Sequence, residues 1–383
     1  MQATTFREDA ELLARHADVV VLDAHRPALA AVVPAFQGRV MTSTTGGDDG
    51  ASFGWLNRDF IASGRRGTAF DNYGGEDRFW LGPEGGQFGL WFAPGEPFDM
   101  AHWRTPAGFN TGRFDVTSQG PGSVAMAAGF EVTNRAGTAF QVAVKRIIDC
   151  LSADDAAAHL GAAVPAGVSS VGFQSTNTLA NVGEGPWTRE GGLLSVWVLG
   201  QFNPLPRGLV IVPYVRGDDP DLGPPPNGEY FGPVPEDRFR LLDDCVLFRC
   251  DGKYRSKLGV SPRRARSVVG SYDPDAGVLT VVQLNLPAGA ADLPYVNSLW
   301  EVQDAPFAGD AVNSYNDGEE TPGAGQLGPF YEIETSSPAA ELAPNQAVTH
   351  VHRTFHFAGD ADGLAALARA VLGVDLEAVD WPD

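Results

Sequence analysis

The feature of the sequence that most limits its possible folds is the alternation of short apolar runs with turn-forming residues. About a dozen such runs are separated by Gly, Pro and Asn. Gly and Pro number 46 and 28 among 383 residues, a proportion typical of strands joined by turns and not of helix bundles or coiled coils. Because no long helical pattern lies between the runs, an antiparallel β-sandwich or barrel is favoured over βαβ units.

The predicted strands are runs in which β-branched and aromatic residues predominate. Their sequences are VVVL, ALAAVVP, RVMTST, QFGLWFAP, AMAAGFEVTN, AFQVAVKRIIDCL, LLSVWVLG, GLVIVPYV, CVLFRC, GVLTVVQLNL, FYEIETS and VTHVHRTFHF. Three short helices are expected at the periphery. Thr5 with Glu8, and Ser152 with Asp155, have the spacing of N-terminal capping boxes. A third helix is predicted over residues 362–373.

No change of composition divides the chain, so we expect a single domain over residues 1–383. Two polar stretches, 216–236 and 303–328, are rich in Gly and acidic residues, and the first also in Pro. Both are predicted to be long surface loops of the kind that wall binding sites in β-proteins.

The charge of the chain limits its partners. A net charge of −21 opposes binding to nucleic acid and to anionic membranes, because the field of the whole protein repels phosphate. No apolar run reaches the roughly 18 residues of a membrane helix, and the first residues lack the pattern of a signal peptide. The three Cys residues are too few for a disulfide framework. A soluble cytoplasmic protein is therefore expected.

Titratable residues cluster near the C-terminal end of the chain. Three of the seven His residues share one face of a predicted strand, namely His350, His352 and His356. The preceding strand carries Glu332 and Glu334 on one of its faces. If the two strands pair as a hairpin around residues 343–346, carboxylates and imidazoles meet on one surface. Both groups suit acid–base catalysis and metal binding, whereas the alternative interpretation is a solvated sheet face.

A second candidate site lies in the Gly-rich stretch 73–95. Glu76, Asp77, Arg78 and Trp80 bring carboxylates and a guanidinium beside an aromatic ring. This combination suits polyhydroxylated ligands, whose C–H faces pack on aromatic rings while their hydroxyls bond to charged groups. The alternative is a hairpin whose Trp residues belong to the core.

A third candidate is a basic segment, 251–266, within this acidic chain. Arg255 and Lys257 are two residues apart and are expected to share a strand face. Such a pair can bind a carboxylate or phosphate of a small substrate. Other common motifs are absent, since the chain has no Walker loop, dinucleotide fingerprint or GxSxG element. No cofactor is therefore expected, and no residue is assigned to a metal, although a metal site at the three histidines is kept as an alternative.

Several of these segments resemble the galactose mutarotase-like superfamily. AAVVPAFQGRVMTST resembles its opening strand and turn, residues 73–84 resemble a GG-x-x-x-W-x-x-P element of several bacterial branches, and EIETSSPAAELAPNQAVTHVHRTFHF resembles its C-terminal region. The resemblance implies a large antiparallel β-supersandwich with a few peripheral helices. It places Glu334 where mutarotases have the Glu that takes the proton of the anomeric hydroxyl. The segment that carries the catalytic His in that family is matched by NTLANV, which ends in Val182.

The leading hypothesis is a carbohydrate-active protein, an aldose 1-epimerase-like enzyme acting on a sugar or sugar acid. Glu334, with Glu332 as its competitor, would be the base, and His350 or His352 the acid. The predicted substrate-binding residues are Arg78, Trp80, Glu76, Asp77, Asn181, Trp187, Arg255, Lys257 and His356. One alternative is a sugar-binding module without catalysis, and another is a metal-dependent isomerase or lyase that uses the three histidines. The sequence does not indicate an oligomeric state.

Overall fold

Antiparallel sheets dominate the computed structural model, which describes residues 4–218 and 220–382. The predicted all-β class with few short helices is confirmed. The strands are β1 Val20–Leu22, β2 Leu29–Val33, β3 Arg39–Thr44, β4 Arg78–Gly82, β5 Asp115–Gly120, β6 Ser123–Thr133, β7 Ala139–Leu151, β8 Ser169–Asn181, β9 Ser195–Phe202, β10 Leu209–Pro213, β11 Phe239–Leu241, β12 Cys245–Arg249, β13 Ser256–Val260, β14 Val268–Asp273, β15 Val278–Leu284, β16 Val312–Asn316, β17 Tyr331–Ser336 and β18 Ala347–Ala358. The α-helices are α1 Phe6–Ala14, α2 Arg58–Ser63, α3 Ala107–Asn110, α4 Ala153–Leu160 and α5 Ala361–Leu372.

Two large sheets and one small sheet make up the fold. The ten-stranded sheet has the order β11-β12-β10-β14-β15-β18-β8-β7-β6-β5, the five-stranded sheet β13-β16-β17-β9-β4, and the small sheet β1-β2-β3. The two large sheets face each other. Phe79 and Val198 of the five-stranded sheet pack in one apolar cluster with Val144 and Phe173 of the ten-stranded sheet. The alternation of side chains along each strand therefore leaves the other face of the five-stranded sheet free to form a site.

The helices lie outside the sheets, as predicted. The Thr5 and Ser152 capping boxes are both formed and start α1 and α4. Helix α5 ends at Gly373, which adopts a left-handed conformation with φ 72°. Its apolar face packs on Phe355 and Phe357 of β18. None of the described helices is long and apolar enough to span a membrane.

Two local predictions are wrong. QFGLWFAP forms turns and bends instead of a strand, because Gly89 disfavours a regular strand and the side chains of Trp91 and Phe92 are both buried in the core. The segment 303–328 is not only a surface loop, since it contains β16, an inner strand of the five-stranded sheet. The VNSYN sequence of this strand is polar, so the sequence shows no apolar strand pattern there.

The predicted hairpin around residues 343–346 is also wrong. Strand β17 pairs with β16 and β9, whereas β18 lies in the other large sheet between β15 and β8. Alternation along a strand determines which residues share a face, but it does not determine the neighbouring strand. The connection after β17 instead carries the chain from one large sheet to the other.

Candidate functional site

The outer face of the five-stranded sheet forms the floor of a pocket. Each strand contributes residues that alternate with its core-facing residues. These are Lys257 on β13, Tyr315 on β16, Glu332 and Glu334 on β17, Trp197, Leu199 and Gln201 on β9, and Arg78 and Trp80 on β4. Cross-strand register puts Lys257 opposite Tyr315 and Tyr315 opposite Glu332. The charged groups are thereby collected in the middle of the sheet.

Glu334 is fully buried and is held through one of its two oxygens. Its Oε2 accepts hydrogen bonds from Lys257 Nζ at 2.9 Å and from the indole N–H of Trp197 at 3.0 Å. The other oxygen, Oε1, is buried and has no hydrogen-bond partner. A buried carboxylate oxygen without a partner is costly, so this atom is a candidate contact for a ligand hydroxyl.

Glu332 lies next to Glu334 on the same strand face and pairs with Arg78. Arg78 donates from Nη2 to Glu332 Oε1 at 2.6 Å, and its guanidinium lies 4.1 Å from the ring centre of Trp80. Burial raises the pKa of Glu332 to about 7, because the effect of burial, with that of Glu334, outweighs the opposing charge of Arg78. Glu332 therefore exchanges a proton near neutral pH.

Lys257 is the second cation of the floor and remains protonated. Burial lowers its pKa, but the charges of Glu334 and Glu84 outweigh burial and leave the pKa above its ordinary value. Its ammonium nitrogen lies 4.8 Å from the ring centre of Trp197. Glu84 itself accepts from the indole N–H of Trp103 at 2.7 Å, and burial raises its pKa.

The walls of this pocket come from loops and are mainly aromatic. The wall residues are Phe70, Glu84, Met100, Trp103, Phe231, Arg255, Trp300, Leu327 and Phe330. The empty volume, including the mouth that opens to solvent, is about 520 Å³, and about 70 Å³ admits the centre of a water molecule. We call this cavity the central pocket. Its aromatic surfaces and buried charged groups can contact both the C–H faces and the hydroxyls of a polyhydroxylated ligand.

The structure brings together about half of the residues predicted as site residues. Six of them line the central pocket, namely Arg78, Trp80, Arg255, Lys257, Glu332 and Glu334. The other seven lie elsewhere, namely Glu76, Asp77, Asn181, Trp187, His350, His352 and His356. Sequence reasoning missed Trp103 and Trp300, which lie in loops without a periodic signal. It also missed Trp197. Alternation within the predicted strand LLSVWVLG places this side chain on the face opposite to that of Val196 and Val198, which is the face that forms the pocket floor.

His350 and His352 lie between the two large sheets. Both imidazoles are at hydrogen-bond distance from the hydroxyl of Thr335, with His350 Nε2 and His352 Nδ1 each 2.8 Å from Oγ1. Thr335 points to the core side of β17, opposite to Glu334. Burial lowers the pKa of His350 to about 3 and that of His352 to about 4. Both rings are therefore neutral near pH 7.

This arrangement predicts a pH dependence of stability. The unfolded chain protonates these histidines near pH 6.5, whereas the folded chain excludes the protons until about pH 4. As pH falls from 6.5 to 4, the free energy of unfolding should therefore decrease. The slope of this free energy against pH should approach the value for two protons that the unfolded chain binds and the folded chain does not. Chemical denaturation at several pH values measures the slope. The double variant His350→Gln/His352→Gln should reduce it by about two protons, and an unchanged slope would contradict neutral burial.

Glu76 and His356 form a second contact between the sheets. His356 Nε2 lies 2.8 Å from Glu76 Oε2, and its Nδ1 lies 2.8 Å from the hydroxyl of Thr280. The Glu76 carboxylate also accepts from the hydroxyl of Ser43 at 2.9 Å. These contacts join the small sheet and the ten-stranded sheet through the segment that precedes β4, so they account for the burial of both side chains.

Asp77 is part of a third contact between the sheets, centred on Arg146. The Arg146 guanidinium is fully buried and bonds to the carboxylate of Asp77 and to the side chain of Asn177. It also donates to the carbonyls of Gly38 at 2.9 Å and Asp77 at 3.0 Å. Asp77 therefore supplies the counter-charge that a buried guanidinium requires.

The residues at the end of β8 and directly after it also lie outside the central pocket. Asn181 donates to the carbonyls of Gly185 at 2.9 Å and Leu342 at 3.0 Å, and so fixes a loop. The Trp187 ring packs edge-on against Phe140. Val182 is 49% exposed and does not line the central pocket, so an imidazole at this position would not reach Glu334. Within residues 4–218 and 220–382, no group of three or more His, Cys, Asp or Glu residues is placed to hold a metal ion.

Comparison with solved structures shows which fold this is. A protein provisionally described as an aldose 1-epimerase from Escherichia coli superposes with a TM-score of 0.51 at 12% identity, covering 90% of this chain and 99% of that one. A galactose mutarotase-like protein from Lactobacillus casei gives a TM-score of 0.51 at 11% identity, covering 88% and 100%. A protein from Synechocystis gives 0.51 at 11% identity, covering 90% and 96%. At these identities the likeness concerns the fold, and it confirms the predicted galactose mutarotase-like fold.

Comparison at the level of sequence gives the family. No curated protein sequence matches the chain. A family model, described as a family of unknown function (DUF6786), matches residues 4–381. The chain therefore belongs to the family DUF6786, with the fold of the galactose mutarotase-like proteins.

Proposed function

We propose that the central pocket binds a sugar and interconverts its anomers by general acid–base catalysis. One observation carries the proposal. Two carboxylates, Glu332 and Glu334, lie on one strand face and meet Arg78 and Lys257 on the floor of an aromatic-walled pocket. Anomer exchange needs one proton removed and one delivered, and carboxyl groups in different environments suit these two tasks.

In the proposed mechanism Glu334 is the base and Glu332 is the acid. Glu334 takes the proton of the anomeric hydroxyl, the bond between the anomeric carbon and the ring oxygen breaks, and Glu332 gives its proton to that oxygen. Rotation of the open-chain aldehyde followed by the reverse steps yields the other anomer. Arg78 bonds to Oε1 of Glu332, so the proton is carried on Oε2. Lys257 fixes Glu334 by donating a hydrogen bond to its Oε2.

Anomer exchange measured by NMR tests this function. We expect the full-length protein to increase exchange between the α and β signals of at least one of the common aldoses or sugar acids. The double variant Glu332→Gln/Glu334→Gln, which lacks both proposed proton-transfer groups, serves as the control. Unaltered exchange for every sugar at high protein concentration would contradict catalysis.

The raised pKa of Glu332 predicts a pH profile. Glu332 acts in its protonated form, so activity requires a pH below about 7, where that form predominates. The value of kcat/KM should therefore fall as pH rises through 7, approaching tenfold per pH unit. Glu332→Gln should lose most of the activity and this alkaline limb. A profile that is flat between pH 6 and 9 would contradict the assignment of Glu332 as the acid.

A second candidate function is sugar binding without turnover. The observation that favours it is the ion pair between Lys257 and Glu334 at 2.9 Å, which occupies one oxygen of the carboxylate proposed as the base. A sugar that raises the melting temperature but whose anomer exchange stays at the uncatalysed rate would support binding alone. A sugar whose exchange is accelerated would support catalysis.

A further inference from the structure

The central pocket shares lining residues with two further cavities, and Arg255 lines all three. The first, which we call the Glu320 compartment, is lined by Asp317, Gly318, Glu320, Ala324, Gly325 and Gln326 and shares Met100, Arg255, Tyr315 and Leu327 with the central pocket. The second, the Phe98 compartment, is lined by Phe98, Asp99, Tyr230, Ser298, Leu299 and Glu320 and shares Glu84, Phe231, Arg255, Lys257 and Trp300 with the central pocket. The three cavities therefore adjoin one another around Arg255, and we call them together the cleft.

The two compartments add space beyond the central pocket. The space that admits the centre of a water molecule is about 290 Å³ in the Glu320 compartment and about 160 Å³ in the Phe98 compartment, against about 70 Å³ in the central pocket. The carboxylates assigned to proton transfer lie only in the central pocket. The two compartments therefore offer contact surface beyond the reacting ring.

Arg255 is held where the cavities join. Its guanidinium lies 4.0 Å from the ring centre of Phe231 and 5.6 Å from that of Trp300, and it pairs with Glu320 at 3.3 Å. Phe231 is 38% exposed, although large aromatic side chains are usually buried. The junction is thus a partly exposed aromatic surface with a fixed hydrogen-bond donor, which suits the face and hydroxyls of a second sugar unit.

The charges of the compartments restrict the chemistry of the occupant. The Glu320 compartment has Asp317 and Glu320 against Arg255 as its one cation, and the Phe98 compartment has Asp99, Glu84 and Glu320 against Arg255 and Lys257. Excess carboxylate disfavours a phosphate or uronate group. A neutral polyhydroxylated chain can instead donate hydrogen bonds to these carboxylates.

We propose that the ligand is a neutral oligosaccharide of two or more units, whose reducing-end ring occupies the central pocket and whose next units occupy the compartments that meet at Arg255. This inference rests on the proposed function for the reacting ring. It extends that function by naming an extended substrate in place of a free monosaccharide.

The test compares binding across chain length. The Kd of each saccharide for the protein is measured by titration calorimetry. The panel consists of the mono-, di- and trisaccharides of glucose, galactose, mannose and xylose. In the series that binds, we expect the trisaccharide to have a Kd at least about tenfold below that of the monosaccharide. Glu320→Ala and, separately, Phe98→Ala should each reduce this ratio several-fold. Melting temperatures of both variants establish that they are folded.

The matched control is Glu341→Ala. Glu341 and Glu320 have the same side-chain exposure of 51%, and each pairs with an Arg, but Glu341 lies outside the cleft. This control should keep the ratio of the unaltered protein. Equal Kd values for mono- and trisaccharide would overturn the proposal of an extended substrate while leaving sugar binding intact. The same conclusion would follow if neither Glu320→Ala nor Phe98→Ala changed the ratio of the two Kd values. A panel in which no saccharide binds would overturn the proposed function and this inference together.

Discussion

Glu334→Gln is expected to slow the catalysed anomer exchange by about 10²–10⁴-fold, the usual contribution of a general base. The amide has nearly the shape of the carboxylate, and its oxygen can still accept from Lys257 and Trp197, the present partners of Glu334 Oε2. The fold and the pocket should therefore persist while the proton acceptor is lost. The measurement is anomer exchange by NMR at matched protein concentrations.

Two controls separate this effect from a general disturbance. Glu341→Gln changes an exposed Glu outside the central pocket and should leave exchange unaltered. Sugar binding to Glu334→Gln, measured by calorimetry, should weaken by less than the rate, because the base acts mainly in the transition state. A Glu334→Gln variant with full exchange activity would remove Glu334 from the mechanism.

Asp77→Ala is expected to lower the free energy of unfolding by about 3–5 kcal/mol, because it leaves the guanidinium of Arg146 buried and uncompensated. Both side chains of this ion pair are fully buried. Arg146 would keep its bonds to Asn177 and to the carbonyl of Gly38, but these partners carry no charge. Denaturant titration followed by circular dichroism measures the loss.

The matched control is the exposed pair of Arg207 and Asp275, whose atoms are 2.8 Å apart with about half of each side chain exposed. Asp275→Ala should cost at most about 1 kcal/mol. The double variant Asp77→Ala/Arg146→Met should recover part of the stability, because it removes the unpaired charge. A loss for Asp77→Ala no larger than that for Asp275→Ala would contradict a structural role for Asp77.

The sequence predicted which residues share a strand face better than it predicted which strands pair in a sheet. Alternation correctly placed Glu332 with Glu334, and His350 with His352, on common faces. It provided no information on whether β17 and β18 pair, because pairing depends on the whole topology of the two sheets. The hypothesis that joined the carboxylates to the histidines therefore rested on a hairpin that does not form.

The polar residues that were taken together as one site in fact divide between the two faces of the five-stranded sheet. Arg78 lies in the central pocket, whereas its neighbour Asp77 lies between the sheets beside Arg146. Adjacent residues of extended backbone point to opposite sides, but strand β4, which begins at Arg78, was not predicted. Trp103 and Trp300 reach the pocket from loops, and loop conformation depends on tertiary contacts that no local pattern encodes.

The most direct test of the central claim is a crystal structure of the protein with the saccharide that binds most tightly in the titrations. We predict that the reducing-end ring lies in the central pocket. Its anomeric oxygen should be about 2.6–3.2 Å from a carboxylate oxygen of Glu334, and its ring oxygen at a similar distance from Glu332. A sugar bound with its anomeric carbon away from both carboxylates, or bound outside the central pocket, would contradict the account.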